Sequence, residues 1–373
     1  MNIEYTALGL MSGTSGDGVD ASLIITDGVN NYRVIKEKYF EYDDNVYKNI
    51  HNLKEKINTK KNLDEFEDDL KDLEKKITFF HAKIIKEFLG EKQIDLVGFH
   101  GQTIYHNAKE KISKQLGDGK LLSQLINKNV VYNFRENDIR NGGEGAPLTP
   151  IFHKLFLKQN KIEPPVCILN IGGISNITIF ENNLKFDLKS RDIGPGNYLI
   201  DTWVRKNSKN KFDKDGTLAR RGKSNEIILE QAQELYLNRK KQNTFSLDVN
   251  DFDVSFARGL SLEDGAATLT DFTGRIIGSE LLNILSNKNQ KIWKVLLSGG
   301  GRKNQILIKK IQENTLKNII FQSIDQYGVN GDFVESQAFA FLGVRSLINQ
   351  PISFPETTGC IKPCTGGDII KIT

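Results

Sequence analysis

At 373 residues the chain exceeds the length over which one hydrophobic core keeps growing, so two domains are expected. Hydrophobic residues make up 38% and charged residues 26%, a soluble globular balance. The net charge of +4 is spread along the chain among acidic runs such as Asp64 to Glu74, so the basic balance says little about nucleic acid, and no such partner is expected.

No run approaches 18 apolar residues, and the start MNIEYTALGLMSG lacks a basic region followed by an apolar one, so neither a membrane span nor a signal peptide is expected. Three sparse cysteines, Cys167, Cys360 and Cys364, point to a reducing compartment and hence the cytoplasm. The Cys360/Cys364 pair has no second pair with which to hold a metal.

In chain order, Thr6 to Thr26 reads as strand, polar knot, strand, with Ser12-Gly13-Thr14-Ser15-Gly16-Asp17-Gly18 between the apolar runs. At seven residues the knot is longer than an ordinary hairpin loop and suits either a turn or a phosphate cradle. Tyr32 to Tyr42 reads as a further strand. Asn62 to Leu89 is expected as one helix capped by Asn62, with Leu63, Phe66, Leu70, Leu73, Ile77, Phe80, Ile84 and Phe88 on its core face and Gly90 ending it. Asp95 to Phe99 is a strand running into His100-Gly101-Gln102-Thr103, and Val130 to Phe134 a strand running into RENDIRNGGEGAPLTP. The glycine-rich Asn141 to Pro150 is the expected crossing between domains. Borders are placed so that residues 1–139 with 350–373 form the first domain and 140–349 the second. Val166 to Phe180 repeats the strand-knot-strand pattern, and Ser298-Gly299-Gly300-Gly301 follows a third strand and leads into a helical pattern. Two similar halves with glycine turns facing a shared cleft are expected.

No P-loop or dinucleotide fingerprint follows a strand, so phosphates bind by another geometry if they bind at all. Asp17 can cap its turn or hold Mg²⁺. The knot Asn170 to Asn176 can be a tight hairpin or the second jaw of a polyphosphate clamp. Three successive glycines at 299–301 remove every side chain where a ligand could lie on the backbone, which favours binding over packing. Asp192, just before Gly194-Pro195-Gly196-Asn197, is a helix cap or a general base. His100, Arg135 and Asp138 lie at strand ends, where open α/β sheets place ligand groups. Arg135 suits either an anionic substrate group or an interdomain ion pair. Glu335 opens the helix ESQAFAFLGVRSL, an ordinary place for a carboxylate.

Taken together, GLMSGTSGDGVDAS, HGQT, QLGDG, NFRENDIRNGGEGAPLTPIFHKLF, LNIGGISNIT, DIGPGN, LSGGGRKN, GVNGDFVESQAFAFL and FPETTG resemble, in collinear order over nearly the whole chain, the anhydro-N-acetylmuramic acid kinases. The resemblance implies the two-domain α/β fold of sugar kinases, Hsp70 and actin, a duplicated ribonuclease H-like arrangement with a central nucleotide cleft. It implies that Gly13, Thr14, Ser15, Gly16, Asp17, Gly18, Val19 and Asp20 form the first phosphate-binding loop, and Asn170, Gly172 and Gly173 the second. Gly299, Gly300, Gly301 and Asn304 resemble the adenosine site, and Asp192 the catalytic base. His100, Thr103, Arg135, Asp138 and Glu335 fall in segments that line the sugar pocket.

The implied reaction is ATP- and Mg²⁺-dependent conversion of 1,6-anhydro-N-acetylmuramic acid to N-acetylmuramic acid 6-phosphate in cell-wall recycling, by a homodimer, with Asp17 at the metal. The chain departs from the family where Arg191 and Ile193 flank Asp192, where Ser336 follows Glu335, and where Phe245-Ser246-Leu247 replaces a common Lys-Ser pair. Rival readings are a kinase for another anhydro sugar such as levoglucosan and an actin- or Hsp70-like ATPase.

Overall fold

The computed structural model describes residues 3–182, 188–239, 245–286 and 292–372. The chain packs as two compact units, Met1–Ile162 with Asp332–Thr373, and Glu163–Gly331. The sequence borders after residues 139 and 349 fall instead after Ile162 and Gly331, because two helices placed in the second domain pack on the first sheet. The helix Pro150–Gln159 sets Phe152 against Tyr32 with ring centroids 4.8 Å apart. The helix Val334–Leu347 lies so close to the sheet that a Cβ on Gly9 would stand 1.9 Å from the Ser336 carbonyl and one on Gly98 2.2 Å from that of Phe339. Asn141 to Pro150 is therefore internal to the first unit and not a crossing between the two.

The first unit holds a seven-stranded sheet. Strands β1 (Tyr5–Ser12), β2 (Gly18–Thr26) and β3 (Tyr32–Glu41) form an antiparallel meander, as the alternation of apolar runs and turn residues predicts. β4 (Leu96–Asn107) and then β6 (Asn129–Tyr132) add in parallel on the other side of β1, while β5 (Ile112–Leu116) folds back on β4 and the C-terminal strand Asp368–Ile370 closes the edge. Parallel neighbours require a crossover. The first is supplied by the helices Asp44–Lys56, Lys60–Glu65 and Glu67–Leu89. HGQT is not a loop after the strand but part of β4, bulged where Gly101 takes φ 75° with the Leu116 carbonyl 2.6 Å from any added Cβ.

The expected helix over Asn62 to Leu89 is interrupted at Phe66 (φ −107°, ψ 25°) and opens earlier, at Thr59. Asn62 is its third residue and bonds back to the Thr59 amide at 3.1 Å, so it completes the cap from inside the helix. The predicted core face holds: Leu70, Leu73, Ile77, Ile84 and Phe88 are buried, with Leu63, Phe66 and Phe80 half-buried against them. Each fully buried side chain of this kind contributes roughly 1.5–3 kcal/mol.

The second unit repeats the order. β7 (Val166–Ile171), β8 (Ile174–Phe180) and β9 (Lys189–Pro195) form the meander, and β10 (Trp293–Ser298) and β11 (Ile319–Ser323) add in parallel beyond β7. In both units the third, second, first, fourth and fifth main strands lie in that spatial order, which is the duplicated ribonuclease H-like topology. No described helix is long and apolar enough to cross a membrane.

Candidate active site

In the first unit, Gly13 to Asp17 link β1 to β2. Their carbonyls are captured from behind. Gly13 O accepts from the Gly16 amide (3.1 Å) and Gln102 Nε2 (3.0 Å), Thr14 O from Lys54 Nζ (2.5 Å), and Asp17 O from the Tyr42 amide (2.9 Å). Among the described residues the amides of Thr14 and Ser15 have no acceptor. A turn with carbonyls tied back and amides unspent is a nest for an anion. Gly16 (φ 68°) and Gly18 are demanded by packing, since their Cβ atoms would meet Ile50 at 2.8 Å and the Phe40 carbonyl at 2.3 Å. At Gly13 a Cβ meets only Ser15 Oγ, at 3.8 Å, so its bareness serves no neighbour. Burial, then the carboxylates of Asp17, Asp20 and Glu41, push the Tyr39 phenol above its ordinary range, so hard oxygen groups gather beside this knot.

Of the expected sugar-pocket residues, the fold joins three. His100 is buried on β4; Nδ1 donates to the Gly101 carbonyl at 2.7 Å and Nε2 accepts from Arg135 Nη2 at 3.0 Å. Burial, then the neighbouring guanidinium, hold its pKa well below the usual histidine range, so the ring is neutral. Arg135 also reaches the Gly145 carbonyl at 3.3 Å, so both of these partners lie in its own unit. Burial raises the Glu335 carboxyl while Arg135 pulls it back down. Thr103, on the same strand as His100, accepts from Gln115 Nε2 at 3.2 Å.

Asp138 is buried, with one oxygen on Thr358 Oγ1 (2.6 Å) and the other on the Gly145 amide (2.7 Å), which makes it a brace for the glycine-rich segment. It also comes within 4.8 Å of the sulfurs of Cys360 and Cys364, a neighbour that cysteine spacing did not reveal. Burial raises the Cys360 thiol above its ordinary range.

In the second unit, Gly172 and Gly173 link β7 to β8 as a two-residue turn. The DIGPGN turn docks behind it: the Gly196 and Tyr198 amides donate to Gly173 O at 2.8 and 3.2 Å, and the Asn197 amide to Gly172 O at 2.8 Å. The amides of Gly172 and Gly173, like those of the first knot, have no acceptor among the described residues.

Asp192 is on β9, not at a helix cap; Asn197 precedes the following helix, Tyr198–Asn207. The Asp192 amide donates to Phe245 O at 2.7 Å, and Oδ2 accepts from the Leu247 amide at 2.8 Å. Segment 245–247, where the sequence departs from its family, thus positions Asp192 through backbone groups that any residue supplies. The other departures also find partners: Arg191 reaches Glu280 at 3.2 Å, and Ser336 shares a hydrogen bond with Ser22 at 2.7 Å.

The three glycines after β10 divide. Gly299 (φ 78°) would set a Cβ 2.5 Å from Asn170 Oδ1, and Gly301 one 2.2 Å from Ile171 Cγ2, so packing requires both. Only at Gly300 is the space open, with Asn197 Nδ2 3.9 Å away. A short 3₁₀ turn follows, and Asn304 caps the helix Gln305–Glu313 through a bond from the Leu307 amide at 3.1 Å. Arg302 braces the turn from below, forked onto Asp325 (2.7 and 2.8 Å) and bonded to Gly299 O (2.9 Å). Gln102, Lys54 and Arg302 were missed as supports. Gln102 sits inside HGQT and Arg302 inside LSGGGRKN; no motif marks Lys54.

Two repeats of one α/β topology, each with a glycine turn after its first strand, define the fold class of sugar kinases, Hsp70 and actin. The family model for anhydro-N-acetylmuramic acid kinase matches residues 5–371, and the chain belongs to that family. It is similar to an anhydro-N-acetylmuramic acid kinase of Pelagibacter ubique, 54% identical over 98% of each chain. Two more kinases of that name, from Zymomonas mobilis and Methylobacterium nodulans, are each 36% identical over 97% of this chain and cover 99% and 98% of their own lengths. Membership makes the chain a phosphotransferase with an alcohol group as acceptor.

Proposed function

We propose that the chain transfers the γ-phosphoryl group of ATP to O6 of 1,6-anhydro-N-acetylmuramic acid while water opens the anhydro ring, giving N-acetylmuramic acid 6-phosphate for cell-wall recycling. Asp192 takes a proton from water as the water oxygen bonds to C1. The C1–O6 bond breaks, O6 bonds to phosphorus, and ADP leaves. One carboxylate suffices, because the leaving oxygen takes a phosphoryl group where an ordinary glycoside would take a proton.

The observation that carries this reading is the placement of Asp192, fixed by Phe245 and Leu247 on a strand beside an anion nest at Gly172-Gly173. Each unit carries turns that suit a nucleotide phosphate, because Gly13 in the first and Gly172 and Gly300 in the second lack a side chain where no neighbour demands it. Their amides, with those of Thr14 and Ser15, suit phosphate oxygens. Magnesium, when bound, neutralises charge on the phosphoryl group in transit, and Asp17, with Asp20 nearby, offers the hard oxygen donors it takes. Arg135, held by His100, suits the lactyl carboxylate, and Glu335 and Thr103 suit sugar hydroxyls. We place the enzyme in the cytoplasm as a homodimer, on the family resemblance.

The test is mass spectrometry of products formed with Mg²⁺-ATP in ¹⁸O-water from anhydro-N-acetylmuramic acid and, separately, levoglucosan. ¹⁸O at C1 of a muramic acid 6-phosphate is expected. A 6-phosphate without ¹⁸O would overturn the coupled opening, and product from levoglucosan alone would overturn the substrate.

A further inference from the structure

β8 and β9 are out of step at one place. Ser175 pairs with Gly194 but Asn176 pairs with Asp192, so Ile193 is an extra residue in β9. Such a bulge re-aims the side chains beside it. Ile193 itself is buried in the core, and the residue displaced into the cross-strand position opposite Asn176 is Asp192. Directly opposed residues of an antiparallel pair carry their Cβ atoms about 4.5–5.5 Å apart on one face. The Asn176 side chain therefore shares a face with the proposed base.

The Asn176 amide is in an unusual state. Its Oδ1 is shielded from solvent and has no hydrogen-bond partner. An orphaned buried acceptor costs about 1–3 kcal/mol, a penalty that a ligand bearing a donor removes. Asp192 differs: its Oδ2 is served by the Leu247 amide. An unserved acceptor opposite a fixed carboxylate matches the two hydrogens of one water molecule.

We infer that Asn176 is a second catalytic residue, which accepts the hydrogen of the nucleophilic water that Asp192 does not remove. With one O–H directed to the Asp192 carboxylate and the other to Asn176 Oδ1, the water lone pair is turned outward, toward C1. As the O–C1 bond forms, the first proton passes to Asp192 and the C1–O6 pair goes to O6, which takes the phosphoryl group. The second hydrogen stays on oxygen as the new C1 hydroxyl. Asn176 neither gains nor loses a proton. Its service is orientation, which is worth most at a single, geometrically defined attack.

This rests on Asp192 being the base, so the experiment separates the two. Steady-state rates and pH profiles are measured for wild type, Asp192→Asn, Asn176→Ala and Asn176→Asp, with anhydro-N-acetylmuramic acid and Mg²⁺-ATP. Asp192→Asn with substantial activity would remove the base, whatever Asn176 does. With that variant inactive, Asn176→Ala is expected to lower kcat by about 10- to 100-fold, a part of the roughly 10²–10⁴-fold available to positioned acid–base groups. The KM for ATP should stay unchanged.

Asn176→Asp keeps an acceptor of the same shape and sets a second carboxylate beside the first. The acidic limb of its kcat profile is expected to move up by about one pH unit or more, since paired carboxylates resist double ionisation. Well above that limb, kcat should recover beyond that of Asn176→Ala. An unmoved limb, or equal rates for the two Asn176 variants at every pH, would overturn the inference. Should Asn176→Ala fail to fold, the isosteric Asn176→Asp profile decides alone.

Discussion

Gly300 and Gly301 are adjacent, yet substitution of each by alanine should do opposite things. A Cβ at Gly301 lands 2.2 Å from Ile171 Cγ2 and 2.8 Å from Ile171 Cβ, in a side chain wholly buried in β7. Ordinary carbon–carbon contact is about 3.5–4.0 Å, so the turn or the strand end must give by more than about 1 Å. Overpacking of this kind costs about 1–3 kcal/mol. At about 2–4 °C per kcal/mol for a domain of this size, Gly301→Ala should lower the melting temperature by roughly 4–8 °C at the middle of that range. At Gly300 the nearest atom is 3.9 Å away, and the melt should not move by more than about 1 °C. If the bare backbone there receives nucleotide, the added methyl should raise the KM for ATP about tenfold, a loss of about 1.4 kcal/mol, and leave the KM for sugar alone. Differential scanning fluorimetry and initial rates check both. Equal destabilisation by the two variants would refute the packing distinction, and an unchanged KM for ATP in Gly300→Ala would refute the assignment of Gly300 to the nucleotide.

Asp192→Asn should cut turnover by about 10²–10⁴-fold while calorimetric affinity for a non-hydrolysable ATP analogue stays within a factor of about two; weakened nucleotide binding would show that Asp192 serves the phosphates instead. Burial holds His81, His106 and His153 at about 4, 3 and 3, so they stay neutral in the fold while the unfolded chain protonates them near pH 6.5. Stability is then full above about pH 6.5 and falls as pH drops below it, by up to about 2 kcal/mol per histidine at pH 5; a melting temperature that is flat from pH 7.5 to 5 would contradict this. Ser336→Ala should cost about 1 kcal/mol through the lost bond to Ser22, and the double variant Ser22→Ala/Ser336→Ala should cost less than the two single changes added together. Strict additivity in chemical denaturation would show that the pair does not interact.

Features written as local periodicity were legible in the sequence. The meanders β1–β3 and β7–β8 follow from apolar runs broken by glycine knots, and the buried stripe of Glu67–Leu89 from its spacing of three and four. Asp192, His100, Arg135 and Glu335 were legible as motif members. What required the fold is long-range. Gly299 and Gly301 also answer to packing, because Asn170 and Ile171 fill the space that a Cβ would take. The Leu247 amide on Asp192 spans 55 residues, and backbone donors leave no trace in side-chain identity. The domain borders went astray for a related reason: the helix Val334–Leu347 follows the second sheet in sequence, but its small residues fit the glycines of the first.

That helix also imposes an order of events on the ribosome. The second unit is one continuous segment and can close as soon as it has emerged, whereas the first is made of two segments separated by it. Until synthesis passes Leu347, the sheet that carries the Gly13–Asp17 turn lacks its covering helix, and the faces at Gly9 and Gly98 stay open to water or to other chains. The half made first is therefore the half finished last, and a nascent chain stalled before Val334–Leu347 exposes an apolar sheet face for a chaperone to cover.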